Sequence, residues 1–517
     1  MKRYNKIILL AISILLFGSC TNLDVTPRYE LTLENLLAQD PNAVNGLVSK
    51  MYGTFALTGP SGPGSSDISG PDAGETGFLR GIINLEDFTA DAVKNRWGDD
   101  GLDQLTTTNS WTPSNKFFRY LFDRVYFTVP QCTQILKTLN SAGNIPNKDK
   151  YVAELRFLRS LAYFYMIDCF GKGVLVTTEN YGSLDPLPEA NRIQLFNYVE
   201  SELLSVEQSI SLTSDYGRVN KSVVRMLLAK LYLNAEVYIG QNRYADCITF
   251  VNKVITEGNY SLAPNYLLNF SADNNLSPEI IYPLLADSLN SQSYGNTTYI
   301  VNGSMSSDTM NISLFGATDG WTGHRSTKAW YGLYGDSAAT IAANPDVRAS
   351  LFWTTQHNYD MNDYKKWKDG YPSTKFRNTS ALSVSGATRF SSTDFPMFRL
   401  ADAYLMYAEC VVRGAGGSIG QALQYVNAIR TRSNASTIVQ SDLSLDFILD
   451  ERARELNLEG HRRTDLIRFN KFTGNAYIWP WKGGAVNGTS IPDTYKLFPI
   501  PLTALGANPN ITQNPGY

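Results

Sequence analysis

Two stretches of this chain, far apart in sequence, spell nearly the same helical hairpin. Residues 231–236 read Leu-Tyr-Leu-Asn-Ala-Glu, then comes a glycine turn and then Val251-Asn252. Residues 404–409 read Tyr-Leu-Met-Tyr-Ala-Glu, then a Gly-rich turn and Val426-Asn427. The interval from Glu to Val is 15 residues in one copy and 17 in the other, a difference that a longer turn absorbs. A helix–turn–helix unit of about 34 residues is the period of tetratricopeptide arrays, in which each hairpin buries its apolar face only against its neighbours. The pattern therefore predicts a mainly α scaffold of stacked helical hairpins.

Helical spacing extends beyond the two copies. Phe117, Leu121, Val125 and Val129 recur every four residues, and Leu155, Leu158, Ala162 and Tyr165 every three or four. Gly171 and Gly173 close that second run, and a further pair covers roughly 194–210 and 220–239. An earlier helix is expected over 40–57, with Asp40 as N-cap and Pro41 in its first turn. The scaffold thus comprises about 40–57, 114–260 and 396–472. Two loop-rich parts interrupt it: 58–112, with a dense Gly/Ser/Pro stretch, and 261–395, polar and tyrosine-rich with a few short strands. Residues 473–517 form a Gly- and Pro-punctuated tail. Insertions in repeat architectures gather on one face, often the binding face.

The N-terminus supplies an address. Lys2, Arg3 and Lys6 precede an uncharged apolar run from Ile7 to Phe17. Eleven helical residues reach about half of a bilayer core, so the run reads as a signal peptide over 1–19 and not a membrane span. Small residues lead into Cys20 in the manner of a bacterial lipobox, with Phe17 where Leu is usual. Cys20 is the expected lipidation site, and 20–39 an extended tether to one domain spanning 40–517.

Composition narrows the chemistry. The net charge is −3 with no basic stripe, which excludes nucleic acid as a partner. Only three histidines occur, and the cysteines Cys132, Cys169, Cys247 and Cys410 are isolated in apolar contexts. They read as buried free thiols, with no metal centre or cofactor site. The acidic cluster at Asp360, Asn362 and Asp363 lacks the glycine and terminal Glu of a calcium loop. Glu451, Glu455 and Glu459 lie on one helix face beside Arg452 and Arg454. Paired carboxylates serve glycoside hydrolysis, but charges at this spacing beside arginines read as an ion-pair lattice. Glu236 and Glu409, in the two hairpin copies, are expected to pair with basic side chains.

Several segments taken together resemble the SusD/RagB outer-membrane lipoproteins of Bacteroidetes: Phe395 to Glu409, Asp450 to Leu466, Glu154 to Tyr165 with Phe170-Gly171, Lys496 to Pro501, Asn508 to Tyr517, and the start Cys20 to Asp24. The resemblance implies about four tetratricopeptide-like hairpins and a loop-rich part that carries the ligand. It implies a non-catalytic role: binding a glycan at the outer face of the cell and passing it to a SusC-like TonB-dependent transporter barrel. A different class, an extracellular glycoside hydrolase, and a peptide-binding scaffold stand as the alternatives.

Glycans are met by aromatic rings on their flat C–H faces and by polar side chains on their hydroxyls, on loops held by a rigid frame. Two loops supply such residues. The first holds Arg80 and Trp97, with a polar partner at Asp99, Asp100 or Asp103; the second holds Trp321 between glycines, preceded by Tyr294 and Tyr299. Both resemble the ligand-site stretches of the family's starch-binding prototype, which implies a starch-like α-glucan. An aspartate in place of the prototype's asparagine leaves another glycan open, whether a fructan, a β-glucan or a host glycan.

Overall fold

The protein is described here as a computed structural model covering residues 32–382 and 386–517. The signal peptide, Cys20 and most of the expected tether lie outside the described residues. Among those described, no helix is long and apolar enough to cross a membrane.

The end of the tether is helical, not extended. Thr32 caps α1 (Leu33–Gln39) by accepting from the Asn35 amide at 3.2 Å. Asp40 closes α1, and its carboxylate accepts from the Asn42 amide, so Asp40 and Pro41 form the turn between α1 and α2 (Ala43–Ala56). The expected cap at Asp40 is thereby corrected: an Asx turn competes for the same carboxylate.

The hairpins follow the apolar spacing. In α4 (Lys116–Ser141) the predicted stripe Phe117, Leu121, Val125, Val129 is buried throughout. It packs on α5 (Lys148–Tyr165), which widens into a π turn and stops where Gly171 takes a φ of 69°. Next come α6 (Arg192–Ser209), opened by a capping box from Asn191 and Gln194, α7 (Lys221–Leu233) and α8 (Tyr244–Glu257). After the insertion, α10 (Leu400–Val412) packs on α8, and α11 (Ile419–Arg432) folds back on α10 across a turn whose Gly414, Gly416 and Gly417 have positive φ. The two copies of the repeat are thus the α7/α8 and α10/α11 hairpins, joined through α8 and α10. All four described cysteines are free and buried, as their apolar contexts predict.

Four further helices tie this frame to the loops: α3 (Phe78–Ile82), α9 (Thr297–Gly303), α12 (Leu445–Leu456) and α13 (Arg462–Arg468). Six short strands pair antiparallel in twos: β1 (Val93–Asn95) with β5 (His324–Ser326), β2 (Lys172–Val174) with β3 (Glu189–Asn191), and β4 (Ile280–Leu284) with β6 (Phe395–Arg399). The tail carries one short α-helix and two 3-10 turns and is pinned by Asn514, whose side-chain amide donates to the carbonyls of Phe170 and Phe498.

The expected ion-pair lattice is present and buried, with one correction: α12 ends at Leu456, so Glu451 and Glu455 share its face while Glu459 joins from the loop beyond it. Glu451 pairs with Arg348, Arg430 and Arg454; Glu455 with Arg348, Arg399 and Arg432; and Glu459 with Arg399 and Lys375. Every carboxylate of the three is spent on cations, which leaves none for acid–base catalysis. Glu409 likewise meets Arg468 through two bonds of 2.7 and 2.8 Å. Glu236 corrects the expectation: it is exposed, and its partner is the Tyr244 hydroxyl at 2.6 Å.

A second buried group has the opposite charge balance. Arg463 sits between Glu86, just past α3, and Asp168, at 3.2 and 3.4 Å. One guanidinium serves two carboxylates, and burial, with the Asp168 charge adding, pushes Glu86 up to about 8. A carboxyl raised on folding contributes stability that is complete below its ordinary range and is lost as pH rises through its folded value. Thermal melts should therefore fall by a few degrees between pH 5 and pH 8.5. Glu86→Gln, which keeps the neutral shape, should flatten that slope; an unchanged slope would assign it elsewhere.

Candidate functional site

The β1–β5 ribbon builds the site. Its register sets Asn95 opposite His324, and the chain leaves that end of the ribbon on both sides as loops carrying Trp97 and Trp321. Residues 224 apart in sequence thus meet: the Trp97 indole Nε1 donates to the Trp321 carbonyl at 3.1 Å. The Trp97 amide donates to Asn95 Oδ1 at 2.6 Å, and the Arg96 amide to the Gly323 carbonyl at 3.1 Å. Gly323 is required there, because a Cβ would fall 2.5 Å from Cζ2 of Trp97. The backbone of the second loop is seated on α9, with the Trp321 amide donating to Asn302 O and the Gly323 amide to Gly303 O.

Tyr294 reaches the same place by another close approach. Gly77, before α3, and Gly295 pack backbone on backbone, since a Cβ on Gly77 would lie 2.7 Å from the Gly295 carbonyl. The Arg80 amide donates to that carbonyl at 3.1 Å. The loop of Tyr294 is clamped onto the helix that carries Arg80.

The result is a cavity of about 510 Å3 lined by Asp72, Glu75, Arg80, Trp97, Asp99, Tyr294 and Trp321. The three half-buried rings follow one another around it. Trp97 and Trp321 have centroids 6.5 Å apart and planes tilted by 46°; Trp321 and Tyr294 are 6.1 Å apart and tilted by 51°. At one end stands the polar group. Arg80 is buried, its guanidinium lies 3.7 Å from Glu75, and its Nε has no hydrogen-bond partner. Lys116 holds Glu75 at 2.9 Å.

The sequence candidates divide on this geometry. Arg80, Trp97, Asp99, Tyr294 and Trp321 share the cavity. Tyr299 does not line it, which corrects its expected place on the aromatic wall. Asn296 caps α9 and turns Tyr299 inward, where its hydroxyl donates to Asn84 at 2.7 Å and Arg80 lies over its ring at 4.4 Å. It supports Arg80 and Trp97 from behind. Asp100 is exposed and leans toward Lys116 at 3.8 Å, and Asp103 caps the amide of Gln104. Asp72 and Glu75 were not among the sequence candidates. Their one signal is the Asp-Ala-Gly-Glu run at the end of the Gly/Ser/Pro loop, where Asp72 accepts from the Gly74 amide in a tight turn. His324 packs behind Trp97 and Tyr299 and is kept neutral by burial, with Arg80 and Arg325 nearby.

An α-hairpin scaffold with a loop-borne aromatic cleft defines a class of binding protein. Residues 278–517 match the SusD family. The chain is 32% identical to the starch-binding protein SusD of Bacteroides thetaiotaomicron over 96% of each chain. A SusD superfamily protein from Parabacteroides distasonis superposes with a TM-score of 0.71 at 23% identity, covering 92% of this chain and 99% of its own. Surface glycan-binding protein A from Bacteroides thetaiotaomicron, solved in complex with laminarihexaose, superposes with a TM-score of 0.68 at 20% identity, covering 91% and 98%. The chain belongs to the SusD family.

Proposed function

We propose that this protein binds a glycan, a starch-like α-glucan, at the cell surface and delivers oligosaccharides to a SusC-like TonB-dependent transporter, held to the outer membrane by lipid on Cys20. The observation that carries the binding reading is the turning arc of Trp97, Trp321 and Tyr294 beside Arg80. Each ring offers a flat face to one sugar, and the successive tilts follow a chain that curves. A flat ribbon-like glycan would lie against one ring and leave the others. The Arg80 guanidinium and the carboxylates of Asp72 and Asp99, which line the cavity, suit vicinal hydroxyls. The starch-binding relative supports an α-glucan; the laminarihexaose complex of the structural neighbour concerns another glucan and makes laminarin the informative competitor.

An open cleft desolvates little of its ligand, so the affinity for one short chain is modest, and avidity on a polymer compensates. Affinity electrophoresis and calorimetry against amylopectin, maltoheptaose, laminarin, a fructan and a host glycan test the reading. Binding to amylopectin and maltoheptaose above the others is expected. Preference for laminarin would overturn the α-glucan assignment alone, and no binding to any of them would overturn the glycan reading.

A further inference from the structure

Arg325 is an unusual group to find where it is. It lies on β5, fully buried, and no carboxylate pairs with it among the described residues. Its donors go to backbone carbonyls instead: Nη1 to Gly323 O at 2.8 Å, Nε to Asp369 O at 3.2 Å, and Nη2 to Lys366 O at 2.9 Å and to Tyr364 O. The Asp369 and Asp363 carboxylates act on it only from a distance, and a guanidinium buried without a direct ion pair persists only where its hydrogen bonds are complete. Four carbonyls from two segments, gathered by one rigid fork, fix those segments relative to each other.

One of the four is the hinge of the site. The Gly323 carbonyl accepts from both Arg325 and the Arg96 amide, while a Cβ at Gly323 would run into the Trp97 indole. Two residues before it is Trp321, whose carbonyl holds the Trp97 Nε1. The other three carbonyls belong to the loop 364–369, and the Arg96 side chain reaches the same loop at Lys365 O, 3.5 Å away. The two tryptophan loops and the loop behind them therefore converge on one buried fork.

We propose that Arg325 is a positioning residue for the aromatic arc: by gathering Gly323 and the 364–369 carbonyls, it sets the angle between Trp97 and Trp321. It touches no ligand. The inference rests on the glycan reading only for its binding consequence; the angle itself is a property of the free protein. A lysine at 325 places one ammonium where four carbonyls converge and cannot hold them in a plane.

Two readouts separate this role from general stability. Indoles 6.5 Å apart at a 46° tilt couple in near-UV circular dichroism, and Trp321→Phe identifies that signal. Arg325→Lys and Arg325→Gln should diminish it while far-UV spectra stay native. Maltoheptaose binding should weaken about tenfold in Arg325→Lys but less than about twofold when the same change is made in a Trp97→Phe background, because the effect passes through Trp97. An unchanged couplet and unchanged affinity would overturn the proposal, as would equal losses in both backgrounds. If the wild type binds no glycan, the glycan reading fails and the couplet alone decides. If neither Arg325 variant folds, Gly323→Ala decides: it keeps Arg325 and displaces the indole, so a native couplet in that variant overturns the link.

Discussion

Trp97→Ala should abolish most glycan binding, with Trp321→Ala close behind. Trp97 occupies the inner position of the arc, backed by His324 at 5.5 Å and Tyr299 at 6.1 Å between ring centroids. Truncation removes a sugar platform and also strands the Trp321 carbonyl, which loses the indole donor at 3.1 Å. Aromatic anchors backed by packed rings in this way cost about 2 kcal/mol or more when cut to alanine, which is about thirtyfold in affinity. Trp321 is the middle ring and meets both neighbours, so its loss splits the arc into two isolated rings. Calorimetry with maltoheptaose, with amylopectin retardation as the polymer control, measures both. Trp97→Phe should recover part of the loss, because a ring face remains. Wild-type affinity in either alanine variant would move the site away from this cavity.

The sequence showed the scaffold more completely than the site, and particular residues explain the difference. The hairpins were legible because Phe117 to Val129 and the two repeat copies encode burial at helical spacing, a local signal that tertiary structure only has to respect. The lattice on α12 was legible in part for the same reason: Glu451 and Glu455 share a face of the helix, whereas Glu459 lies past its end and reaches Arg399 and Lys375 from the loop. Trp97 and Trp321 were legible as ring-bearing loops, but the contact between them depends on the β1–β5 register, which three residues per strand do not announce. Tyr299 shows the limit from the other side. Aromatic identity marks it as a sugar platform, and only the cap at Asn296 decides that it faces inward. Asp72 and Glu75 enter the cavity through a Gly/Ser/Pro stretch, where local pattern carries no orientation. Glu236 and Glu409 occupy equal places in the two repeats, yet only Glu409 finds arginines, because α13 supplies Arg468 to one copy.

Arg399→Met should be the most damaging substitution for stability. Its guanidinium is buried at the meeting of three carboxylates: Glu279 at 2.8 Å, Glu455 at 2.7 Å and Glu459 at 2.7 Å. These come from different parts of the chain, with Glu279 just before β4, Arg399 ending β6 and the others on or just after α12. The same carboxylates draw in Arg432, Arg348 and Lys375, so the lattice joins the hairpins to the insertion that carries Trp321. Removing one partner from a buried ion cluster leaves charge uncompensated at a cost of about 3–5 kcal/mol. Arg399→Lys should recover little, since one ammonium cannot serve three carboxylates in a plane. Arg454→Met is the control: Arg454 meets Glu451 from the more exposed side, where Arg348 and Arg430 remain, and should cost less than about 1 kcal/mol. Glu279, Glu451 and Glu455 are held below the usual carboxylate range, after the cost of burial, by these arginines. Their contribution is complete above the ordinary carboxylate range and is lost as pH falls through their folded values. The wild type should therefore resist mild acid and unfold only in strong acid. Denaturant melts of the three variants at neutral pH measure the costs, and an Arg399→Met protein as stable as Arg454→Met would show that the lattice does not hold the two parts together.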